Sequence, residues 1–556
     1  MGSIPLESRI ASLVHSHFDD LPQRSKPTIH PNGSREWVPL SGIVLVTGEN
    51  TPHEALTCVA IATGTKCLPT SQIRLCRGLV LHDSHAEVLV IRAFNHWLLE
   101  ECKMMLQQWK GPPSSDVEHD GETHAIRAEY TSHQKKIAVE QHSKFINWRH
   151  RLRTENEPAS VILPSSSDFT HPNNSEWPLW PPFQLRNDLK IYMYSTCAPC
   201  GDASMEVCMA AQDDPTPWVI PLPYPNTESS NDNNNEASHS ETNANLLNGR
   251  AHFSILGAVR RKPSRADAES TLSKSCSDKL AVKQVTSLLT FPTCLLIVPS
   301  PDAYLAALLL PENEISQIAC ARAFGGGETG RLKKLNGQRW KGDDILTPNG
   351  QEEYMFRPFE VRSIPNAQVK KEWAFGKPSI KEVKSKPGNI SAVWTAAPSY
   401  TMAPEKLTTQ NLSETLINGV KQGYRHSSPT PRKASSLSRA KMWDLFRDIV
   451  QLLPSAEINI SSGSDYMLDP RDSSHYLKVK ECVCTSQTYE VVKRKCIELG
   501  LGPVRVRKEV LSDVRVVLGN WVENRGDENW GLYVLDNEMK VRKAQRQDQI
   551  SVNVYE

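Results

Sequence analysis

One imidazole, one carboxylate and two thiols carry most of the chemistry legible in this chain. They are His85 and Glu87 of His85-Ala86-Glu87, Cys200 of Pro199-Cys200-Gly201, and Cys276 of Ser275-Cys276-Ser277-Asp278-Lys279. One nitrogen and two thiolates occupy three positions of a tetrahedral zinc ion and leave the fourth for water, whereas a fourth Cys or His closes the site into a structural clamp. The set therefore points to a hydrolytic site, with Glu87 as the group that moves protons.

Spacing constrains how these residues can meet. Positions 85 and 87 point roughly 200° apart on a regular helix, so both face one site only at an irregular helix start. The apolar pattern Leu89, Phe94, Trp97, Leu98 predicts a helix running from His85 to about Met105. Cys200 and Cys276 each precede a helical pattern, and a helix N-terminus favours the thiolate that binds metal. Cys197 offers a nearer thiol in Cys197-Ala198-Pro199-Cys200, but the Pro-Cys-x-x-Cys arrangement of small zinc deaminases places its second thiol where this chain has Ala203. The second thiol must come from elsewhere, and Cys276 is the best candidate. Cys197, Cys208 and Cys294 read as ordinary buried thiols.

The elements around these residues alternate. Residues 5–17 predict a first helix, and Ile43–Val46, Leu56–Ala62 and Leu189–Tyr194 predict strands. Helices are expected over Gly201–Ala211, Cys276–Leu289, Ala303–Leu310, Lys441–Leu453 and Tyr489–Leu499, with a strand at Cys294–Val298. This is an α/β pattern. Residues 111–185 and 223–249 are polar and read as surface insertions, and 376–392 and 401–436 read as loops.

The bulk numbers exclude several classes. A chain of 556 residues with 39% apolar content can bury a real core. Its 64 Lys and Arg nearly balance 63 Asp and Glu, so only a local patch could bind nucleic acid. Residues 260–283 supply one, with seven cations against three carboxylates. Thirteen scattered cysteines, no leader pattern and no apolar run long enough to span a bilayer lead to the expectation of a soluble protein of the cytosol or nucleus, with no membrane association.

Five ordered motifs resemble the adenosine deaminases that act on RNA, and within them the branch that converts adenosine 37 of tRNA to inosine. They are Gly64-Thr65-Lys66-Cys67, Leu81-His82-Asp83-Ser84-His85-Ala86-Glu87, Pro199-Cys200-Gly201-Asp202-Ala203, Lys262-Pro263-Ser264-Arg265-Ala266-Asp267 and Ser275-Cys276-Ser277-Asp278-Lys279. The resemblance implies a cytidine-deaminase-like three-layer core, a mixed sheet with helices on both faces, and a C-terminal extension. One deaminase domain is expected over residues 40–535, with residues 1–39 supplying an N-terminal helix packed on or leading into it.

The same resemblance implies roles. One zinc ion would sit on His85, Cys200 and Cys276, and its activated water would attack C6 of adenine while Glu87 shuttles the proton. Thr65, Lys66, Lys262 and Asp267 would contact the substrate RNA, and Asp83 would link Lys279 towards the zinc. A buried inositol hexakisphosphate would lie on Arg92, Lys279, Arg439, Tyr476, Lys480, Tyr489, Lys493 and Trp521. Ile91, His82 and Val282 stand where animal relatives place further polyanion contacts, so fewer anchors remain. Leu499-Gly500-Leu501-Gly502 and Leu518-Gly519-Asn520-Trp521 look like two halves of one motif, separated by about sixteen residues that are either a loop or a segment foreign to the gene.

Only about 40 residues precede the match, too few for tandem duplex-RNA-binding modules, which favours tRNA, by resemblance alanine tRNA, with no obligate protein partner. An editor of duplex RNA and a catalytically inactive RNA-binding relative are the alternatives. A free-nucleoside deaminase would have no use for the basic loop.

Overall fold

Alternate residues of the central strands face two different cores, and this fixes the architecture. The computed structural model describes residues 4–29, 31, 34–108, 143–150, 178–210, 247–249, 255–262, 269–341, 354–377, 385–399, 410–453 and 470–536. Eight strands form one sheet: β1 (Leu40–Thr47), β2 (Ala55–Thr63), β3 (Leu189–Ser195), β4 (Leu305–Pro311), β5 (Glu360–Ile364), β6 (Ile390–Thr395), β7 (Leu412–Ile417) and β8 (Val420–Lys421). Their spatial order is β5-β4-β3-β1-β2-β6-β7-β8. The β5-β4-β3 side is parallel and every other pairing is antiparallel.

The helices are α1 (Leu6–Asp19), α2 (Ala86–Gln108), α3 (Met205–Ala210), α4 (Cys276–Thr286), α5 (Gln317–Phe324), α6 (Asn366–Glu372), α7 (Arg439–Leu452), α8 (Pro470–Thr485), α9 (Tyr489–Glu498) and α10 (Val504–Leu518). Ile43, Leu45, Ile191, Met193, Leu308 and Leu310 join Leu89, Phe94 and Trp97 of α2 and Trp443 and Phe446 of α7 in the larger core. Val44, Val46, Tyr192, Tyr194, Ala307 and Leu309 join Ile10, Val14 and Phe18 of α1 in a second core on the opposite face. Period-two alternation thus sandwiches the sheet between helices. The fold is mixed α/β. Among the described residues no helix is long and apolar enough to cross a membrane.

Several sequence expectations are corrected. Residues 303–310 are not a helix: Leu305–Pro311 is strand β4, buried on both faces between β3 and β5. A short unbroken apolar run does not distinguish a buried strand from a buried helix, and here parallel pairing decides. Cys294–Val298 is not a sheet strand but begins with a 3-10 turn, Thr293–Leu295.

The flanks of the first polar insertion enter the core. Ile146–His150 pairs with Pro178–Leu185, and Phe145, Ile146, Trp180, Phe183 and Leu185 are buried. Five apolar residues outweighed the polar composition around them. Residues 111–142 and 151–177 lie outside the described residues, as does most of 223–249.

The loop expected over 401–436 contains β7 and β8, and β6 begins within 376–392. Finally, the segment between the two half-motifs is helix α10. Val506, Val510, Val514 and Leu518 recur every fourth residue and bury against Ala281, Val282 and Val285 of α4. It belongs to the fold.

Candidate active site and metal centre

Three chain segments converge beneath the end of the sheet. His85 closes a short strand, Asp83–His85, paired with Thr65–Cys67, and α2 starts at Ala86. Glu87 therefore occupies the first turn, and the strand-to-helix change lets it share a site with His85. Cys200 lies in the loop after β3. Cys276 is the first residue of α4, whose N-cap Ser275 accepts a hydrogen bond from the Asp278 amide. Gly201 (φ +105°) allows the loop to touch this cap, since a Cβ there would fall 2.2 Å from Ser275 Oγ.

The ligand atoms of His85, Cys200 and Cys276 lie within 4.8 Å of one another. Cys200 Sγ is 3.8 Å and Cys276 Sγ 3.7 Å from His85 Nδ1. The main-chain N–H of Cys276 donates to Cys200 Sγ at 3.4 Å, so the α4 N-terminus holds negative charge on that sulfur. The Cys276 thiol donates to Glu87 Oε2 at 3.3 Å. One nitrogen and two sulfurs facing one point form the donor set of a zinc site, and a buried carboxylate beside them suits proton transfer.

The protonation states follow from burial and from these contacts. Hydrogen bonding from Cys276, with the Lys262 and His85 charges, holds the Cys200 thiol well below its ordinary pKa against the cost of burial. Burial and the Cys200 thiolate push Cys276 well above its own. Burial and the Lys262 charge oppose protonation of His85, but Cys200 and Cys67 together outweigh them and lift its pKa to about 10. Without metal near neutral pH, the set is one thiolate, one thiol and one imidazolium. Metal must then displace about two protons, from Cys276 and His85, so zinc affinity measured against a competing chelator is expected to rise about 100-fold per pH unit between pH 6 and 8. Burial and the Cys200 thiolate also raise Glu87, which favours its holding a proton.

A buried charge network backs the ligands. Lys262 Nζ donates to Asp83 Oδ2 at 2.9 Å and to Cys276 Sγ at 3.2 Å. Lys279 and Ser273 also donate to Asp83, and Asp83 Oδ1 accepts from the His85 amide at 3.0 Å. Burial opposes ionisation of Asp83, but Lys262 and Lys279 hold its carboxyl well below the usual range. Two other groups, Cys67 with Asp83 and His85, and Cys76 with His82 and Asp527, are also compact. Their carboxylates are already paired with cations, Asp83 with two lysines and Asp527 with Arg439, and burial keeps the His82 imidazole beside Asp527 below its ordinary pKa.

Among the described residues, cations crowd behind α2, where Arg439 pairs with Asp527. Burial and the Arg439 charge lower Arg92 to about 10. Burial with Arg439 and Arg507 lowers Lys493, and burial with Arg507 lowers Lys283. Arg92 donates to the Leu437 carbonyl, Lys283 to those of Leu288 and Leu289, and Arg507 to that of Leu289. Tyr489 stacks on Trp530 at 4.8 Å, with Lys493 over its ring at 5.9 Å.

An adenosine-deaminase (editase) domain model matches residues 60–133 and 166–499. The chain belongs to the adenosine-deaminase (editase) family. It is 28% identical over 445 residues to "tRNA-specific adenosine deaminase 1" of Schizosaccharomyces pombe, covering 80% of this chain and 86% of that one. The protein of the same name in Saccharomyces cerevisiae is 28% identical over 291 residues, 51% of this chain and 54% of that one. The one in Drosophila melanogaster is 23% identical over 490 residues, 86% of this chain and 89% of that one.

Within this editase domain the structure gathers His85, Glu87, Cys200, Cys276, Asp83, Lys262 and Lys279 into one site. Lys262, expected at the RNA surface, is 3% exposed, and Arg260, Arg261 and Lys274 of the same basic stretch are buried too. Lys262 had to pair with Asp83, and Arg260 with its neighbouring carbonyls of Gly249 and Ile255, because an inward-facing cation needs an acceptor. Asp267 lies outside the described residues. Thr65 donates to the Gly388 carbonyl, and Lys66 lines a cleft with Ser84.

Of the residues expected on a polyanion, Arg92, Arg439, Tyr489 and Lys493 bear electrostatically on one another. Lys279 turns to Asp83 instead. Tyr476 meets Trp180 edge to face, Lys480 donates to the Leu453 carbonyl, and Trp521 sits under Lys274 and Arg515. Sequence reasoning missed Ser273 and Arg507 and read Lys283, which donates to the Leu288 and Leu289 carbonyls, as part of the basic RNA patch. The four-residue repeat of α10 was the available signal for Arg507, since it places that residue beside the inward-facing Val506 and Val510.

Proposed function

We propose that the protein hydrolyses adenosine to inosine in tRNA, at position 37 of alanine tRNA, through one zinc ion on His85, Cys200 and Cys276. The observation that carries this reading is the Glu87 carboxylate 3.3 Å from Cys276 Sγ, inside a one-nitrogen, two-sulfur donor set. A zinc ion held there supplies a Lewis acid that makes water acidic enough to attack carbon at neutral pH. Glu87 accepts the proton of the attacking water and gives it to N1 of adenine, then takes the proton of the new C6 hydroxyl and gives it to the amine, which leaves as ammonia. Lys262 and Asp83 keep the sulfur and imidazole in place. A sheet with helices against both faces supports a cytidine-deaminase-like three-layer core, within one domain spanning residues 40–535.

A buried inositol hexakisphosphate is the second part of the proposal. Arg92 and Lys493, joined by Lys283 and Arg507, are cations whose mutual repulsion a polyanion would relieve, Arg439 beside them is already paired with Asp527, and Tyr489 adds a donor. The names of the relatives support tRNA over duplex RNA. Incubation with bulk tRNA, duplex RNA or free adenosine, followed by inosine measurement, separates the readings. Inosine in tRNA alone is expected; inosine in duplex RNA or free nucleoside alone overturns the tRNA assignment.

A further inference from the structure

Residues 418–433, Asn-Gly-Val-Lys-Gln-Gly-Tyr-Arg-His-Ser-Ser-Pro-Thr-Pro-Arg-Lys, contain four Lys or Arg and no Asp or Glu. The segment leaves β8 as a loop whose ends are tied by the Lys421 N–H to the Lys433 carbonyl at 3.0 Å. Tyr424, Arg425 and Arg432 are exposed, and Lys433 lies over the Tyr424 ring at 5.7 Å. His426 turns inward. It lines a cleft with Lys66, Cys67, Leu68, Ser84 and Asn418.

This cleft opens beside the metal-ligand set. Ser84 precedes His85 in the chain, and the Cys67 sulfur lies within 4.8 Å of the His85 ring nitrogen. Its wall combines apolar surface from Leu68, a ring from His426, amide groups from Asn418 and a cation from Lys66. A nucleotide asks for this combination: a surface on which the base stacks, groups that meet its edge, and cations for its phosphate.

We propose that loop 421–433 and the cleft under His426 hold the RNA nucleotide adjacent to the target adenosine. The base lies against His426 and Leu68 beside the Asn418 amide, and the flanking phosphates meet Arg425 and Lys66. The inference rests on the reading of the protein as an RNA deaminase and adds the surface that selects sequence context.

The test uses the full-length zinc-loaded protein and an RNA hairpin carrying the anticodon loop of alanine tRNA, intact or with an abasic ribose immediately 5′ or 3′ of the target. For wild type, one of the abasic hairpins raises KM about tenfold, the scale of one lost base stack. His426→Ala raises KM for the intact hairpin about as much, lowers the rate at saturating RNA less than threefold, and no longer responds to that abasic site. Arg425→Gln, on the surface, lessens the slope of log KM against log salt by roughly 0.7, as expected for one single-strand phosphate. Variants with wild-type KM and salt slope, or a His426→Ala protein still penalised tenfold by the abasic site, overturn the inference alone. Wild-type protein that forms no inosine in the intact hairpin or in whole tRNA overturns the deaminase reading, and the inference falls with it.

Discussion

Replacing Glu87 by glutamine lowers deamination about a thousandfold and leaves metal content and thermal midpoint near those of the wild type. The size follows from the role. A positioned acid–base group contributes typically about 10²–10⁴ in rate, and Glu87 would act on the attacking water, on N1 and on the leaving amine. The sparing of the fold follows from the site. Glutamine keeps the volume of a side chain that is only 4% exposed, and its amide can donate to the Cys276 sulfur once that thiol has lost its proton. Glu87 also lies in the first turn of α2, where a carboxylate complements the helix dipole, but such an interaction is worth only about 0.3–1 kcal/mol. A variant that retains zinc and most of its activity would remove Glu87 from the mechanism. Inosine formation under single turnover, with zinc measured in the same preparation, reads both quantities.

Asp83→Ala is expected to cost about 3–5 kcal/mol of stability, the scale of a buried charge stripped of its partner. Lys262, 3% exposed, would lose both contacts to Asp83 and keep its charge beside the Cys276 sulfur. Ser273, Lys279 and the His85 amide would lose an acceptor as well. Because the folded carboxyl titrates well below an ordinary one, its contribution is complete above about pH 4 and is lost as the pH falls below that. Urea unfolding of the two proteins at pH 7 measures the difference, and a change under 1 kcal/mol would contradict the placement of this network at the centre of the site. Asp83→Asn keeps some hydrogen bonds without the charge and is expected to fall between the two.

What the sequence revealed and what it hid have physical causes. The meeting of His85, Cys200 and Cys276 was legible because each leaves a local mark: a thiol at a helix start and an imidazole before a helix show within a few residues. The strands at Ile43, Leu56 and Leu189 were legible because alternating side chains feed two cores. β4 was not, because Leu305–Leu310 is apolar on both sides and carries no period that separates strand from helix. The fate of Lys262 was hidden for a different reason. Lysine in a basic stretch reads as surface, and only the long-range meeting of residues 83, 262 and 276 turns it inward. α10 was misread despite a clear signal, since Val506, Val510, Val514 and Leu518 mark a helix face that the broken motif obscured.

In the proposed reaction His85, Cys200 and Cys276 would hold a zinc ion, and Glu87 would direct hydrolysis of one adenosine in tRNA. The most direct measurement is mass-spectrometric mapping of inosine in purified alanine tRNA after incubation with the zinc-loaded protein. Inosine is expected at position 37 and nowhere else, absent when the protein is stripped of metal and restored when zinc is returned. Adenosine left unconverted by zinc-replete, folded protein, or inosine formed equally well by the metal-stripped protein, would contradict it.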